Sequence, residues 1–310
     1  MRRLSVVAIL MVFLCPTPFA WAGGSGAYPN GAEDFMAGAM PPPGTYAMLY
    51  ANYYNADRYK NDSGDNYPAG HPLGDIDVSV WANVLRIVHV TDIKILGASY
   101  AVQTLIPWVA MDFSFGPPFG ALGDSRSGLG DIIVDPLLLA WHGSKFHWVA
   151  GLDIYLPTGR YASEKEPINP GNNVWTFEPA VAVSYLDGPI DLSVKLMYDF
   201  STTNDDYLDP ASGRTADLKP GQEFHCDVAA GYSFAQGWTA GLAGYYYQQT
   251  TDDEIDGVEV PNAKGRVLAL GPAVKYAHKN MSLTLKSLFE TAVQNRPAGS
   301  STWLRFVYAF

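Results

Sequence analysis

Cysteine is nearly absent: the 310 residues hold two, Cys15 and Cys226. Cys15 falls in an N-terminal leader, so the remaining chain has one thiol. No internal disulfide and no thiol–metal framework can form. Basic residues are also scarce, 20 Lys and Arg against 31 Asp and Glu. That acidic balance argues against nucleic acid as a partner. No apolar run approaches the ~20 residues of a bilayer-spanning helix. The longest, Leu4 to Leu14, follows the basic Met1-Arg2-Arg3 and precedes the small-x-small site Ala20-Trp21-Ala22. It reads as a secretory signal peptide over residues 1–22. Its removal takes Arg2 and Arg3 away and shifts the formal charge from −11 to −13. Nothing after it reads as a long amphipathic helix, and no Pro/Ser linker divides the rest.

What is present is alternation. In Ser301 to Phe310, Leu304, Phe306, Tyr308 and Phe310 fall on every second position and the sequence closes on an aromatic. This period of two is the strand signal. An apolar outer face with an aromatic rim suits the closing strand of an outer-membrane barrel. Phe306, Tyr308 and Phe310 are therefore expected to be the signal read by the barrel-assembly machinery. Strands are expected near 44–55, 76–91, 98–113, 128–142, 146–157, 173–186, 190–201, 221–234, 238–251, 266–278, 281–294 and 301–310. That is an even number, and each is long enough to cross a bilayer on a tilt.

The connectors alternate too. Residues 92–97, 143–145, 187–189, 235–237 and 279–280 are short. Residues 56–75, 114–127, 158–172, 202–220, 252–265 and the briefer 295–300 are longer and carry turn-forming polar residues. Short periplasmic turns against long extracellular loops are a property of outer-membrane barrels. A soluble sandwich has no reason to keep that alternation. The expected fold is all-β: a transmembrane antiparallel β-barrel of about twelve strands over 44–310, in the cell outer membrane, monomeric and bathed in lipid.

The alternation also assigns faces. Ile190, Leu192, Val194, Leu196, Tyr198 and Phe200 oppose Asp191, Ser193, Lys195, Met197 and Asp199. A charge facing lipid at mid-depth costs ~2–4 kcal/mol, so the polar set belongs to the lumen. The same reasoning puts Asp131, Asp135, Asp153, Glu178, Glu223, His225 and Asp227 inside, with Lys275, Lys286 and Arg305 on the opposite arc. An acidic wall facing a basic one would make a constriction with a transverse field, which orients small polar solutes. Asp135 and Asp153 would lie opposite one another, with a cation or donor needed between them. Strand 76–91 breaks the rule, because Ile76, Val78, Val80, Ala82 and Val84 share a face with Arg86. A bulge near Leu85 would return Arg86 to the lumen. Pro136, Pro179 and Pro272 interrupt pairing and are where a lateral opening would lie.

Residues 23–43 are too rich in Gly and Pro for a strand, and Pro41-Pro42-Pro43 ends them rigidly. They are expected either to fold into the lumen as a plug, through Glu33, Asp34 and Phe35, or to hang free. No cofactor is expected. Glu223, His225 and Asp227 share one face, but three neighbours on one strand, ~6.5–7 Å apart, rarely converge on one ion. His142-Gly143-Ser144 has the spacing of a base and nucleophile. It falls at a turn with no residue to orient the His, so catalysis is not expected.

Several motifs carry a family resemblance. Tyr28-Pro29-Asn30-Gly31-Ala32-Glu33-Asp34-Phe35, Pro41-Pro42-Pro43-Gly44-Thr45-Tyr46, Ser127-Gly128-Leu129-Gly130-Asp131 with Asp135-Pro136, Gly151 to Gly159, and Gly244-Tyr245-Tyr246-Tyr247-Gln248-Gln249 resemble the phenol-degradation meta-pathway outer-membrane proteins. The resemblance covers essentially everything after the leader. It implies a small outer-membrane channel that admits small hydrophobic or aromatic compounds, and no catalytic activity. It assigns no site residues. A structural or adhesin barrel with a closed lumen is the alternative, and an outer-membrane phospholipase a more distant one.

Overall fold

The computed structural model describes residues 26–310 apart from 69, 72, 117–122, 163–167 and 210–211. The leader expected over 1–22 lies outside the described residues. The strands are β1 (Gly44–Tyr59), β2 (Ile76–Ile95), β3 (Ala98–Phe115), β4 (Asp124–Leu129), β5 (Ile132–His142), β6 (Phe146–Leu156), β7 (Thr176–Asp187), β8 (Ile190–Ser201) and β9 (Asn204–Asp209). They continue with β10 (Arg214–Lys219), β11 (Glu223–Ala235), β12 (Trp238–Gln249), β13 (Glu254–Ile255), β14 (Val258–Glu259), β15 (Arg266–His278), β16 (Met281–Gln294) and β17 (Pro297–Ala309). No helix occurs among the described residues.

The main sheet closes on itself. Its order is β2-β1-β17-β16-β15-β12-β11-β8-β7-β6-β5-β3, and β2 pairs in turn with β3. β4 continues β5 across a break at Gly130-Asp131, so the wall is a barrel of twelve antiparallel staves. Closure leaves no sheet edge whose backbone groups would be stranded in hydrocarbon. β9, β10, β13 and β14 form a separate small sheet within the loops.

Large apolar side chains ring the outside: Leu192, Leu196, Val181, Leu242, Leu270 and Leu285 are exposed, with Trp148, Phe146, Tyr232, Phe234 and Trp238 near the turn end. The polar partners of this alternation point inward and are buried. A surface so apolar outside and so polar within is stable only against lipid.

Three expectations are corrected. No bulge exists at Leu85, since the β1–β2 register runs unbroken from Gly44↔Val90 to Ala56↔Val78. Ile76, Val78 and Val84 are buried inside beside Arg86, while Trp81 and Ile87 are exposed outside. The aliphatic face of β2 is its lumen face. Residues 295–300 are not a loop. Asn295-Arg296 alone joins β16 to β17, with Asn295 at φ 51°, a left-handed conformation that Asn tolerates. Its side chain donates to the Asn262 and Lys264 carbonyls. The turn expected at 92–97 shrinks to Leu96-Gly97, both at positive φ, the two-residue geometry that matches strand twist.

Candidate functional site

Residues 26–43 lie inside the barrel, and the inward side chains hold them there. Asp227 of β11 accepts three hydrogen bonds: from Tyr28 Oη at 2.5 Å, Gly31 N at 3.0 Å and Glu33 N at 2.9 Å. Ser193 Oγ accepts from Met36 N at 3.0 Å, and Ser184 Oγ from Gly38 N at 2.8 Å. Asn30 Oδ1 stands 2.7 Å from His225 Nδ1. The Phe35 ring is buried beside Gly231, where a side chain would collide with it.

The basic arc clamps the same segment. Lys286 Nζ spends its three donors on Ala32 O (3.0 Å), Glu33 O (2.8 Å) and Asp34 Oδ2 (3.1 Å). Arg305 pairs with Asp34 and reaches Glu33 Oε2 at 3.4 Å. Arg86 Nη1 donates to Glu33 Oε1 at 2.6 Å and Arg86 Nε to Gln103 Oε1 at 2.8 Å. Lys275 touches Met36 Sδ at 3.4 Å.

The acidic and basic walls therefore do not face one another across open water; the N-terminal segment stands between them. Asp135 accepts from Leu137 N at 2.8 Å. Asp153 accepts from Gln103 Nε2 at 2.9 Å and lies 3.7 Å from Lys195. Gln103, opposite Asp135 in the β3–β5 pairing, is a donor to Asp153 beside that pair. Lys195 is also 3.8 Å from Glu178, which accepts from Tyr155 at 2.9 Å. Asp131 binds the backbone amides of Gly159 (2.9 Å) and Asn172 (2.8 Å), anchoring the loop after β6. Glu223, His225 and Asp199 meet at the β8–β11 pairing. Phe306 and Tyr308 share the Leu304 face of β17, and Phe310 follows its last residue, exposed, with the Tyr308 and Phe310 rings 4.9 Å apart. His142 Nδ1 lies 3.0 Å from His147 Nδ1 across the hairpin, so its partner is that ring.

Above the segment is a cavity of about 490 Å³. Tyr28 and Glu33 belong to its floor. One wall is apolar: Val78, Val80, Ala82 and Val84 of β2, then Leu105, Pro107, Val109, Met111 and Phe113 of β3. The facing wall carries Asp153, Tyr155, Lys195, Tyr245, Glu290 and Arg296. Sequence reasoning missed Gln103, Tyr28, Asn30 and Arg296, and it reached Arg86 only through a bulge that does not exist. The missed signal is that β2 and β3 both put aliphatic residues on their lumen face, leaving Asp77, Asn83 and Asp112 to point outward.

A closed twelve-stave wall, apolar outside and lined with buried charge, defines a transmembrane β-barrel with the fold of outer-membrane channels. The chain belongs to the family described as putative MetA-pathway of phenol degradation, whose model matches residues 56–306. Among solved structures it is similar to the COG4313 outer membrane channel from Pseudomonas putida F1, with a TM-score of 0.75 at 18% identity, covering 90% of this chain and 100% of that one. It is also similar to the transport unit of the autotransporter AIDA-I from Escherichia coli, with a TM-score of 0.55 at 7% identity, covering 89% and 93%. No curated protein matches it by sequence.

Proposed function

We propose that this protein is a passive channel of the cell outer membrane for small hydrophobic or aromatic molecules. The carrying observation is the cavity: an apolar strip on β2 and β3 faces tyrosines and charges, inside a closed wall. Its volume of about 490 Å³ falls in the range of small-molecule sites, about 300–1,000 Å³. An aromatic ring would lie along Val80, Val84 and Val109, and a hydroxyl or carboxylate on it would find Arg86, Lys195 or Tyr155 opposite. Solutes enter between the long loops. Residues 26–43 act as a plug across the lumen, held by Asp227, Lys286 and Arg305, and must shift for axial passage. The break in pairing around Pro136, where the β5 register slips against both neighbours, offers a sideways exit.

Catalysis is no part of this reading, since His142 is engaged with His147 and lies at the turn end. The closed structural barrel is the competing reading, and the dense contacts on residues 26–43 favour it at rest. Uptake separates the two. A deletion strain and its complemented partner are grown on limiting concentrations of a panel of aromatics and hydrocarbons, and the purified barrel is tested in planar bilayers. Slower growth on some of these compounds, restored by the gene, together with measurable conductance, supports the channel. No growth difference on any compound and no conductance would leave a structural barrel.

A further inference from the structure

Deep in the lumen, beside the seat of the N-terminal segment, Asp199 of β8 meets Glu223 and His225 of β11. One ligand-type atom from each lies within 4.8 Å of the other two. His225 and Glu223 are fully buried and Asp199 is 99% buried. Asn30 Oδ1 only accepts hydrogen bonds, so the proton of the imidazole sits on Nδ1, at 2.7 Å from it. Nε2 then turns its lone pair toward Asp199 Oδ2 and Glu223 Oε2, each 3.3 Å away. A lone pair aimed at two carboxylates is repulsive unless something positive lies among them.

A proton on Nε2 fits poorly. No hydrogen bond of acceptable geometry links Nε2 to a neighbour, and neither Asp199 oxygen receives one from any described residue. A metal ion fits better. With bonds of about 2.1 Å and tetrahedral angles, two ligand atoms stand about 3.4 Å apart, close to the two 3.3 Å edges here. A ligating histidine ordinarily donates its other N–H to a carbonyl or carboxylate, which orients the ring, and Asn30 occupies that position. Two carboxylates and a neutral imidazole balance a double positive charge. The surrounding charges bear on the cluster as well: Glu178 faces Asp199 and has Lys195 beside it, and Lys195 also serves Asp153. Arg296, over the Tyr247 ring at 4.3 Å, acts on Glu223 and Glu290.

We propose that Asp199, Glu223 and His225 bind one first-row divalent transition-metal ion, with Asn30 of the N-terminal segment as the positioning residue behind His225. The imidazole favours ions such as Zn²⁺ or Fe²⁺ over Ca²⁺ and Mg²⁺. The site couples metal to the lumen segment, because Asn30 leaves His225 whenever that segment leaves its seat.

The test uses the full chain in detergent, free of any affinity tag. It carries His142→Ala and His147→Ala to remove the exposed histidine pair at the turn end. After chelator treatment it is equilibrated with Zn²⁺, dialysed, and its metal counted by mass spectrometry; folding is checked by heat-modifiable gel mobility. Roughly one Zn²⁺ per chain is expected, lost in Asp199→Asn. Asn30→Ala, which touches no metal, should weaken binding by about 10–100-fold. Co²⁺ in place of Zn²⁺ should give visible d–d absorption that disappears in His225→Gln. Loading below about half an ion per folded chain, or loading unchanged by Asp199→Asn, overturns the proposal and leaves a doubly protonated His225 between the two acids.

Discussion

Lys286→Met removes the ammonium that holds the N-terminal segment while keeping nearly the same side-chain volume, so no cavity opens. The loss is electrostatic. In the native protein Lys286 is 98% buried and each of its three donors is used. The variant strands the Ala32 and Glu33 carbonyls, at ~1–3 kcal/mol each. Asp34 keeps Arg305, so its charge is not abandoned. Breaking a buried pair ordinarily costs ~3–5 kcal/mol, and the surviving Arg305 contact puts the expected loss near ~3 kcal/mol. At 1.4 kcal/mol per tenfold, the segment should leave its seat roughly 100-fold more often. Hydrogen exchange reads this directly, because the amides of Gly31, Glu33, Met36 and Gly38 are bonded to the wall only while the segment is seated. Their exchange should accelerate by about two orders of magnitude, and single-channel records should show more frequent openings. Lys275→Met is the control, since that ammonium contributes one contact to a thioether. Unchanged exchange at the four amides in a folded Lys286→Met barrel would refute the reasoning.

Asp253, in the loop after β12, is 96% buried and accepts from Gly221 N and Gln249 Nε2. Burial pushes its carboxyl up to about 6, against the opposing pull of those donors, with Glu223 adding to the rise. The folded state therefore holds its proton more tightly than the unfolded state. The associated stability is present below about pH 4 and is lost as pH rises through about 6, with an upper bound of ~3 kcal/mol. Thermal midpoints from pH 4 to 7 should fall less in Asp253→Asn than in the native protein, and identical slopes would count against it. Leu196→Arg places a charge on the lipid face and should destabilise the barrel by ~2–4 kcal/mol in urea titrations in vesicles, so a neutral effect would mean that the outer face does not meet lipid. Val109→Asp puts a carboxylate on the apolar strip and should reduce uptake of unsubstituted aromatics about tenfold, while conductance for small ions persists; undiminished uptake would show that solutes avoid β3.

Alternation of period two made the barrel legible, because one rule governs most positions of the staves from β6 onward, with Val267, Leu288 and Trp303 as apolar exceptions inside. Lys195 between Val194 and Leu196, or Asp227 between Cys226 and Val228, can point only inward. The rule assumes that the apolar face meets lipid, and it fails where the lumen itself is greasy. On β2 it sent Val78, Val80 and Val84 to the wrong side and required a bulge to recover Arg86. Loop ends were misjudged for another reason. Asn295-Arg296-Pro297 reads as a loop by composition, yet Asn295 supplies the turn conformation and Pro297 tolerates the first position of a strand. The partners of the inward charges were beyond reach. Nothing local links Asp34 to Arg305 or Asn30 to His225, since strand order around a cylinder, and a segment threaded through it, decide those meetings.

The seam between β1 and β17 joins residues such as Asn52 and Thr302, 250 positions apart in the chain. The segment bearing Asn30 and Asp34 runs directly into β1, one lip of that seam. Stitching the two lips together is thus a late event that waits for nearly all of the polypeptide, and the tether hanging from one of them must already be tucked in, or be drawn in, as the cylinder shuts. Assembly and occupancy of the interior become one process, and a variant that cannot seat residues 26–43 should be slow to mature as well as leaky.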